Sequence, residues 1–348
     1  MTKRVISYGK AINEAIVQEM RISPDVFVYG LDVADHKESY GSISGILKEF
    51  GPKRCFSTPL SEDAMMGLGI GAALNGLRPI NIHIRVDFLL LALNQLINMA
   101  SSLCYGSNGK LSVPLVIRAV IGRGWGQGFQ HSKSMHSLFA HVPGLKVVMP
   151  TTPYDAKGLL ISAIRDNNPV ICLEHRLLYW SEGEVPEEQY EIPIGISNIL
   201  RPGNDVTIVA TSWMTVEALK AAEILEKRGV SVEIIDPRTI SPLDDQLIFN
   251  SVGRTGRCII ADNDWLNCGF SAELASRIYE YFLGGLKRPI KRIGFAPTPC
   301  PTTRPLENEF YPNAETIIRT VEKQLDLEPV DLSGEEFYGH ENKFKGPF

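Results

Sequence analysis

The segment Ser61-Glu62-Asp63-Ala64 runs into Met66-Gly67-Leu68-Gly69-Ile70-Gly71-Ala72-Ala73, which places a carboxylate at the start of a helix of very small residues. A helix dipole favours an acid in that place, and a glycine- and alanine-rich helix can press hard against another backbone. What further chemistry Glu62 can do depends on the rest of the chain. The glycines at 67, 69 and 71 do not make a dinucleotide fingerprint. That motif needs a strand directly before it and an acid about twenty residues later, where this chain has Leu91. No G-x-x-x-x-G-K-[ST], G-x-S-x-G or H-E-x-x-H is present, which removes the P-loop and the common hydrolase readings. His83, His131, His136, His141 and His175 are metal-ligand types, but their spacing fits no standard zinc site.

The elements around these residues alternate. Helical period runs through Ile12, Ala15, Ile16 and Met20, then Val26–Tyr29 reads as a short buried strand. The run 66–76 reads as a helix, Ile80–Ile84 as a strand, 88–103 as a helix and Val113–Arg118 as the next strand. Four glycines between Gly122 and Gly128 break this rhythm in a loop that ends at Gln130-His131-Ser132. Leu145–Met149, a helix over 154–165 and Val170–Glu174 complete the first set. An acidic, proline-punctuated stretch over 181–203 then marks a boundary. A second set follows, with strands at Val206–Ala210, Val232–Ile235 and Cys258–Ala261 and helices over 214–228 and 270–283. The alternation predicts an α/β protein of two doubly wound domains. We expect them at 1–185 and 204–330, with a linker at 186–203 and a tail at 331–348 that lies on a partner or on the body.

Composition narrows the class. Of the 348 residues, 44% are hydrophobic and 22% charged, as in globular domains. The net charge of −5 argues against a nucleic-acid partner. The six cysteines are scattered with no C-x-x-C, which suggests reduced thiols in the cytoplasm. The N-terminus turns polar too early for a signal sequence, and Phe88–Leu93 is too short to span a bilayer, so no membrane is expected.

A larger ordered set is also present. It begins with Thr58-Pro59-Leu60-Ser61-Glu62, Gly71–Pro79, Asp87-Phe88 and Gln130-His131-Ser132. It continues through His141–Val148, Asp155–Leu160 and Ile164–Val170, and then Ile235-Asp236-Pro237-Arg238-Thr239, Pro242-Leu243-Asp244 and Pro312–Glu315. From about residue 4 to residue 325 the chain resembles the beta subunit of the thiamine-diphosphate-dependent decarboxylating component of 2-oxoacid dehydrogenase complexes. Pyruvate, branched-chain and acetoin dehydrogenases share that plan. The resemblance implies a pyrimidine-binding domain followed by a transketolase C-terminal-like domain. It implies that Glu62 hydrogen-bonds a ring nitrogen of the cofactor's aminopyrimidine and favours its imino tautomer. Phe88 would pack on the pyrimidine, with Leu60 and Ile84 on the pocket wall, and His131 would handle substrate or acyl intermediate. Leu115, Ala163, Asp166 and Asn168 would hold a monovalent cation such as K⁺. The family holds the diphosphate through Mg²⁺ with a G-D-G…N-N motif. This chain has no Gly-Asp-Gly, so the resemblance implies an alpha subunit that supplies that half, in an α2β2 heterotetramer, with a lipoyl acyltransferase core as a further partner.

Two stretches depart from the family pattern. His83 and Arg85 stand on the wall before Phe88, and Ile82 replaces the usual acid. The loop after Arg118 carries Arg123 and Trp125 where the family is bland. Arg85, Arg123 and Trp125 are therefore candidate substrate residues for a bulky or anionic substrate, unless the loop has simply drifted. The leading expectation is oxidative decarboxylation of a 2-oxoacid with acyl transfer to lipoyl. The alternatives are half of a two-subunit transketolase or carboligase, and a non-enzymatic assembly or regulatory subunit.

Overall fold

The structure, a computed structural model, describes residues 4–34, 39–123 and 126–337. Trp125 and the tail beyond residue 337 lie outside them. The strands in the first part of the chain are β1 (Val5–Ser7), β2 (Val26–Gly30), β3 (Cys55–Ser57), β4 (Arg78–His83), β5 (Val116–Ile121), β6 (Lys146–Val148), β7 (Val170–His175) and β8 (Glu182–Glu184). Then come β9 (Asn198–Arg201), β10 (Val206–Ala210), β11 (Val232–Asp236), β12 (Thr239–Ser241), β13 (Cys258–Trp265) and β14 (Lys291–Phe295).

Seven strands form one sheet in the order β12-β6-β7-β5-β4-β2-β3, parallel except for β12. A second sheet has the order β14-β13-β10-β11-β9, parallel except for the edge strand β9. β1 and β8 pair antiparallel as a separate ribbon. Contacts divide the chain into two compact units. The first takes the chain up to Arg123, Ser134–Ile194 and Thr239–Pro242; the second takes residues 126–133, Gly195–Arg238 and the chain from Leu243 onward. The division is not one cut in the sequence, and the stretch over 186–203 read as a linker contains β9. Leu332 is buried in the second unit's core, and Phe337 packs against it beneath the Lys220 ammonium, 4.9 Å from the ring centroid.

Local chemistry explains the element ends. Ser7 caps the helix Tyr8–Ile22 by accepting from the Lys10 N–H at 3.3 Å, and Tyr8, Ile12, Ile16 and Met20 bury its periodic face. Thr152 caps Pro153–Arg165, with proline in the first turn and an acceptor for the Asp155 N–H at 3.0 Å. β5 starts at Val116 rather than at 113. Pro114 has no N–H to give a ladder, and the Leu115 N–H turns back to the Val113 carbonyl at 2.8 Å.

The stretch expected as one helix over 88–103 is broken. It comprises an α-turn (Val86–Leu89), a 3₁₀ turn (Leu90–Ala92), a π segment (Gln95–Ala100) and Leu103–Gly106, with a bend of 62°. The hydroxyls of Ser101 and Ser102 both bond the Ile97 carbonyl and compete with the regular backbone ladder there. Among the described residues no single helix is long and apolar enough to cross a membrane.

The helix Glu62–Leu74 lies against β2 and β4. A Cβ on Gly69 would sit 2.1 Å from the Tyr29 hydroxyl, so only glycine permits that approach. Tyr29 in turn donates to the Met65 carbonyl at 3.0 Å and pins the helix's first turns to the sheet.

Candidate functional site

In the first unit Glu62, Ile84, Arg85, Phe88 and Arg123 follow the carboxyl ends of parallel strands of the seven-stranded sheet, the edge where open α/β sheets place ligands. Glu62 opens a helix five residues after β3 ends, Ile84, Arg85 and Phe88 follow β4, and Arg123 follows β5. Glu62 is the first residue of its helix and half-buried, with Ser61 at the cap. Its neighbour Asp63 accepts from Gln95 Nε2 at 3.3 Å, which ties the helix start to the broken helical segment after β4. Leu60 is 74% exposed and Phe88 40% exposed, so large apolar side chains stand open on this edge. A flat heteroaromatic ring would cover such side chains, and the residues present fit that group.

Arg85 was expected as a candidate substrate residue. It is buried, donates to the Tyr40 hydroxyl at 2.8 Å, and holds its guanidinium carbon 5.8 Å from that ring's centroid. Arg176, after β7, lies 5.2 Å from the same ring. Burial, with a smaller contribution from Arg85 and against the opposing effect of Tyr40, lowers the pKa of Arg176 to about 10. Sequence reading missed Tyr40 and Arg176, since neither lies in a motif. The signal available was a basic residue at the end of another strand of the same sheet. Arg123 is buried too. Next to it Gly122 has φ +76°, and a Cβ there would meet the His175 ring at 2.0 Å.

His83 ends β4, fully buried, and its Nε2–H donates to Asn81 Oδ1 at 2.6 Å. Burial lowers its pKa to about 4. Because the unfolded value is near 6.5, the folded state needs the ring neutral. This contribution is complete above pH ~6.5 and is lost as pH falls toward 4, at up to about 1.4 kcal/mol per pH unit. Chemical-denaturation midpoints at several pH values should fall less steeply in His83→Gln than in the parent over this range; equal slopes would refute the assignment.

The proposed cation donors gather where the helix Pro153–Arg165 ends and β7 begins. The Leu115 carbonyl accepts from the Val170 N–H at 3.0 Å, and the Ala163 carbonyl from the Asp166 N–H at 3.3 Å. Arg78 Nη1 donates to the Asp166 carbonyl at 3.0 Å, and Asp166 Oδ1 accepts from the Asn168 N–H at 2.8 Å. Each carbonyl keeps a second lone pair, which suits a large, weakly demanding cation in type. Among the described residues no group of three or more His, Cys, Asp and Glu is placed to hold a metal ion.

His131 belongs to the second unit. It closes the 3₁₀ turn Gly128–Gln130, half-buried, and the Tyr311 hydroxyl holds the carbonyl of the next residue, Ser132, at 3.1 Å. Trp125 lies outside the described residues.

Residues 4–181 match the transketolase pyrimidine-binding domain, and residues 195–317 match the transketolase C-terminal domain. The two units are therefore domains of transketolase type. The chain is 43% identical over 331 residues to the beta subunit of acetoin:2,6-dichlorophenolindophenol oxidoreductase of Cupriavidus necator, covering 92% of this chain and 98% of that one. It is 40% identical to the 2-oxoisovalerate dehydrogenase beta subunit of Bacillus subtilis, over 90% and 96% of the two chains. Against the pyruvate dehydrogenase E1 beta subunit of the same organism it is 39% identical, over 91% and 98%. A solved split-gene transketolase, titled an inactive beta4 tetramer, shares the fold with a TM-score of 0.73 at 23% identity, over 93% of this chain and 99% of that one. The chain belongs to the family of acetoin, pyruvate and branched-chain 2-oxoacid dehydrogenase beta subunits.

Proposed function

We propose that this chain is the beta subunit of a thiamine-diphosphate-dependent 2-oxoacid dehydrogenase, and that it carries the pyrimidine half of the cofactor site. The observation that supports this most is the half-buried Glu62 opening a small-residue helix in a domain of pyrimidine-binding type, with Leu60 and Phe88 open on the same sheet edge. When bound, the cofactor supplies a thiazolium carbon acid and an aminopyrimidine base. Glu62 would hold a proton at the pyrimidine nitrogen. Phe88, Leu60 and Ile84 cover the pyrimidine and exclude water. His131 donates or accepts a proton at the substrate.

The absence of Gly-Asp-Gly from the sequence leaves the diphosphate and its Mg²⁺ to an alpha subunit. We assign an α2β2 assembly that passes the acyl group to the lipoyl arm of an acyltransferase. The chain mixed with an alpha-type partner and thiamine diphosphate should release carbon dioxide from a 2-oxoacid and acylate a lipoyl domain, and the chain alone should not. Turnover by the chain alone would sink the split-site reading, and ketol transfer without carbon dioxide would favour the transketolase alternative.

The carbonyls of Leu115, Ala163, Asp166 and Asn168 are the proposed donors to K⁺, which would brace the turn before β7. Replacing K⁺ by Na⁺ at constant ionic strength should then lower the melting temperature, and an unchanged value would remove the site.

A further inference from the structure

The second unit contains a cavity of about 710 Å³ that no part of the proposed chemistry uses. Its volume is that of a small-molecule site. Trp265, Phe295 and Phe129 form its walls with Pro297 and Pro299, so most of the lining is flat and rigid. Trp265 is held in place: its indole N–H donates to the Thr298 carbonyl at 3.0 Å, and its ring meets Phe295 edge-on, centroids 5.8 Å apart at 85°. Fixed aromatic faces favour a flat, apolar ligand body, which gains contact without ordering the walls on binding.

The polar side chains on the lining are Ser132, Lys133, Asn267, Thr298 and Cys300. Ser132 lines the cavity at 1% exposure, and its buried hydroxyl has no hydrogen-bond partner among the described residues. An unsatisfied buried hydroxyl costs stability that a ligand oxygen would recover. The Ser132 backbone is anchored by the Tyr311 hydroxyl, so the side chain stays where it is. Lys133, whose ammonium donates to the Phe129 carbonyl, is the single charged residue among the described lining residues. One ammonium balances one carboxylate; a phosphate or dicarboxylate calls for more charge or a bidentate arginine.

We propose that this cavity binds a small aromatic monocarboxylate, with its ring between the walls of Trp265 and Phe295 and its carboxylate at Ser132 and Lys133. The site lies within the second unit alone, so its occupancy can be tested apart from the cofactor reading. Ser132 and Lys133 directly follow His131 in the chain, so a bound ligand would also stiffen the turn that carries that imidazole.

The test is a titration of the full-length chain with 3-phenylpropionate, followed by tryptophan fluorescence, with no turnover involved. A saturable change is expected that is lost in Trp265→Phe. 2-Phenylethylamine, which has the same ring and the opposite charge, should not produce it. Ser132→Ala should weaken binding about five-fold, as for one hydrogen bond, and Lys133→Gln by a similar factor or more. Circular dichroism of each variant checks its fold, and the ligand-induced rise in melting temperature of the parent gives a second readout. No saturable change up to about 10 mM, equal binding of acid and amine, or unchanged affinity in both Ser132→Ala and Lys133→Gln would overturn the proposal.

Discussion

Glu62→Gln, assayed with an alpha-type partner, is expected to lower turnover by at least about 10²-fold, and toward 10⁴-fold if proton relay to the pyrimidine limits the rate. The change is nearly isosteric. It removes one favourable charge from a helix start, a loss of about 0.3–1 kcal/mol at most, and no hydrogen bond or ion pair of Glu62 is formed within the described residues that it could break. The helix remains pinned by Tyr29 to the Met65 carbonyl and by Gln95 to Asp63. Assembly and melting temperature should therefore stay close to the parent while activity collapses. Size-exclusion chromatography and the rate of cofactor-dependent turnover separate the two. Near-normal turnover would refute the role of Glu62, and lost assembly would make it an interface residue instead.

The second large effect is structural. Arg118 and Glu174 form a bidentate pair between β5 and β7, Nε to Oε1 at 2.6 Å and Nη2 to Oε2 at 2.8 Å, with Arg118 1% exposed. Ser42 accepts from the guanidinium at 2.9 Å, and the Tyr179 hydroxyl donates to the carboxylate. Burial and the neighbouring Glu174 charge keep the Tyr179 hydroxyl protonated, with its pKa well above the ordinary value. Burial acts to lower the guanidinium pKa of Arg118, and Glu174 outweighs it and raises the value. Glu174→Leu leaves that charge buried without its carboxylate and is expected to cost about 3–5 kcal/mol. For a unit of this size that lowers the melting temperature on the order of 10 °C. Arg118→Met added to Glu174→Leu should recover much of the loss, because removing both charges removes the desolvation cost. A single variant that melts with the parent would show that water reaches the pair.

Helices and strands were readable where their physics is local. The helical period of Ile12, Ala15, Ile16 and Met20 announces the first helix, and the apolar runs of β2, β7 and β10 announce buried strands. The broken helix after β4 was not readable, because its bend falls between Ala92 and Gln95, where Gln95 reaches Asp63, a residue on another element. The start of β5 was missed for a similar reason, since the turn at Val113–Leu115 follows from a proline inside an apolar run. A single cut between domains was also expected, whereas the chain enters the second unit at the loop before Ser134 and returns to the first at Thr239–Pro242. Composition marks a linker, but it carries no record of which sheet a three-residue strand will join.

By itself the sequence determined the two-domain α/β plan, the acid at the head of a small-residue helix, and the absence of a diphosphate motif. Each of these rests on residue types at short spacings, which local geometry and chemistry constrain directly. Only the tertiary structure decided that Arg85 is turned inward onto Tyr40 rather than out toward a substrate. It alone brought Arg176 to the same ring and closed an aromatic cavity beside Ser132 and Lys133. Those arrangements join residues far apart in the chain, and side-chain packing among strands and loops fixes them, a constraint with no period or motif in the sequence.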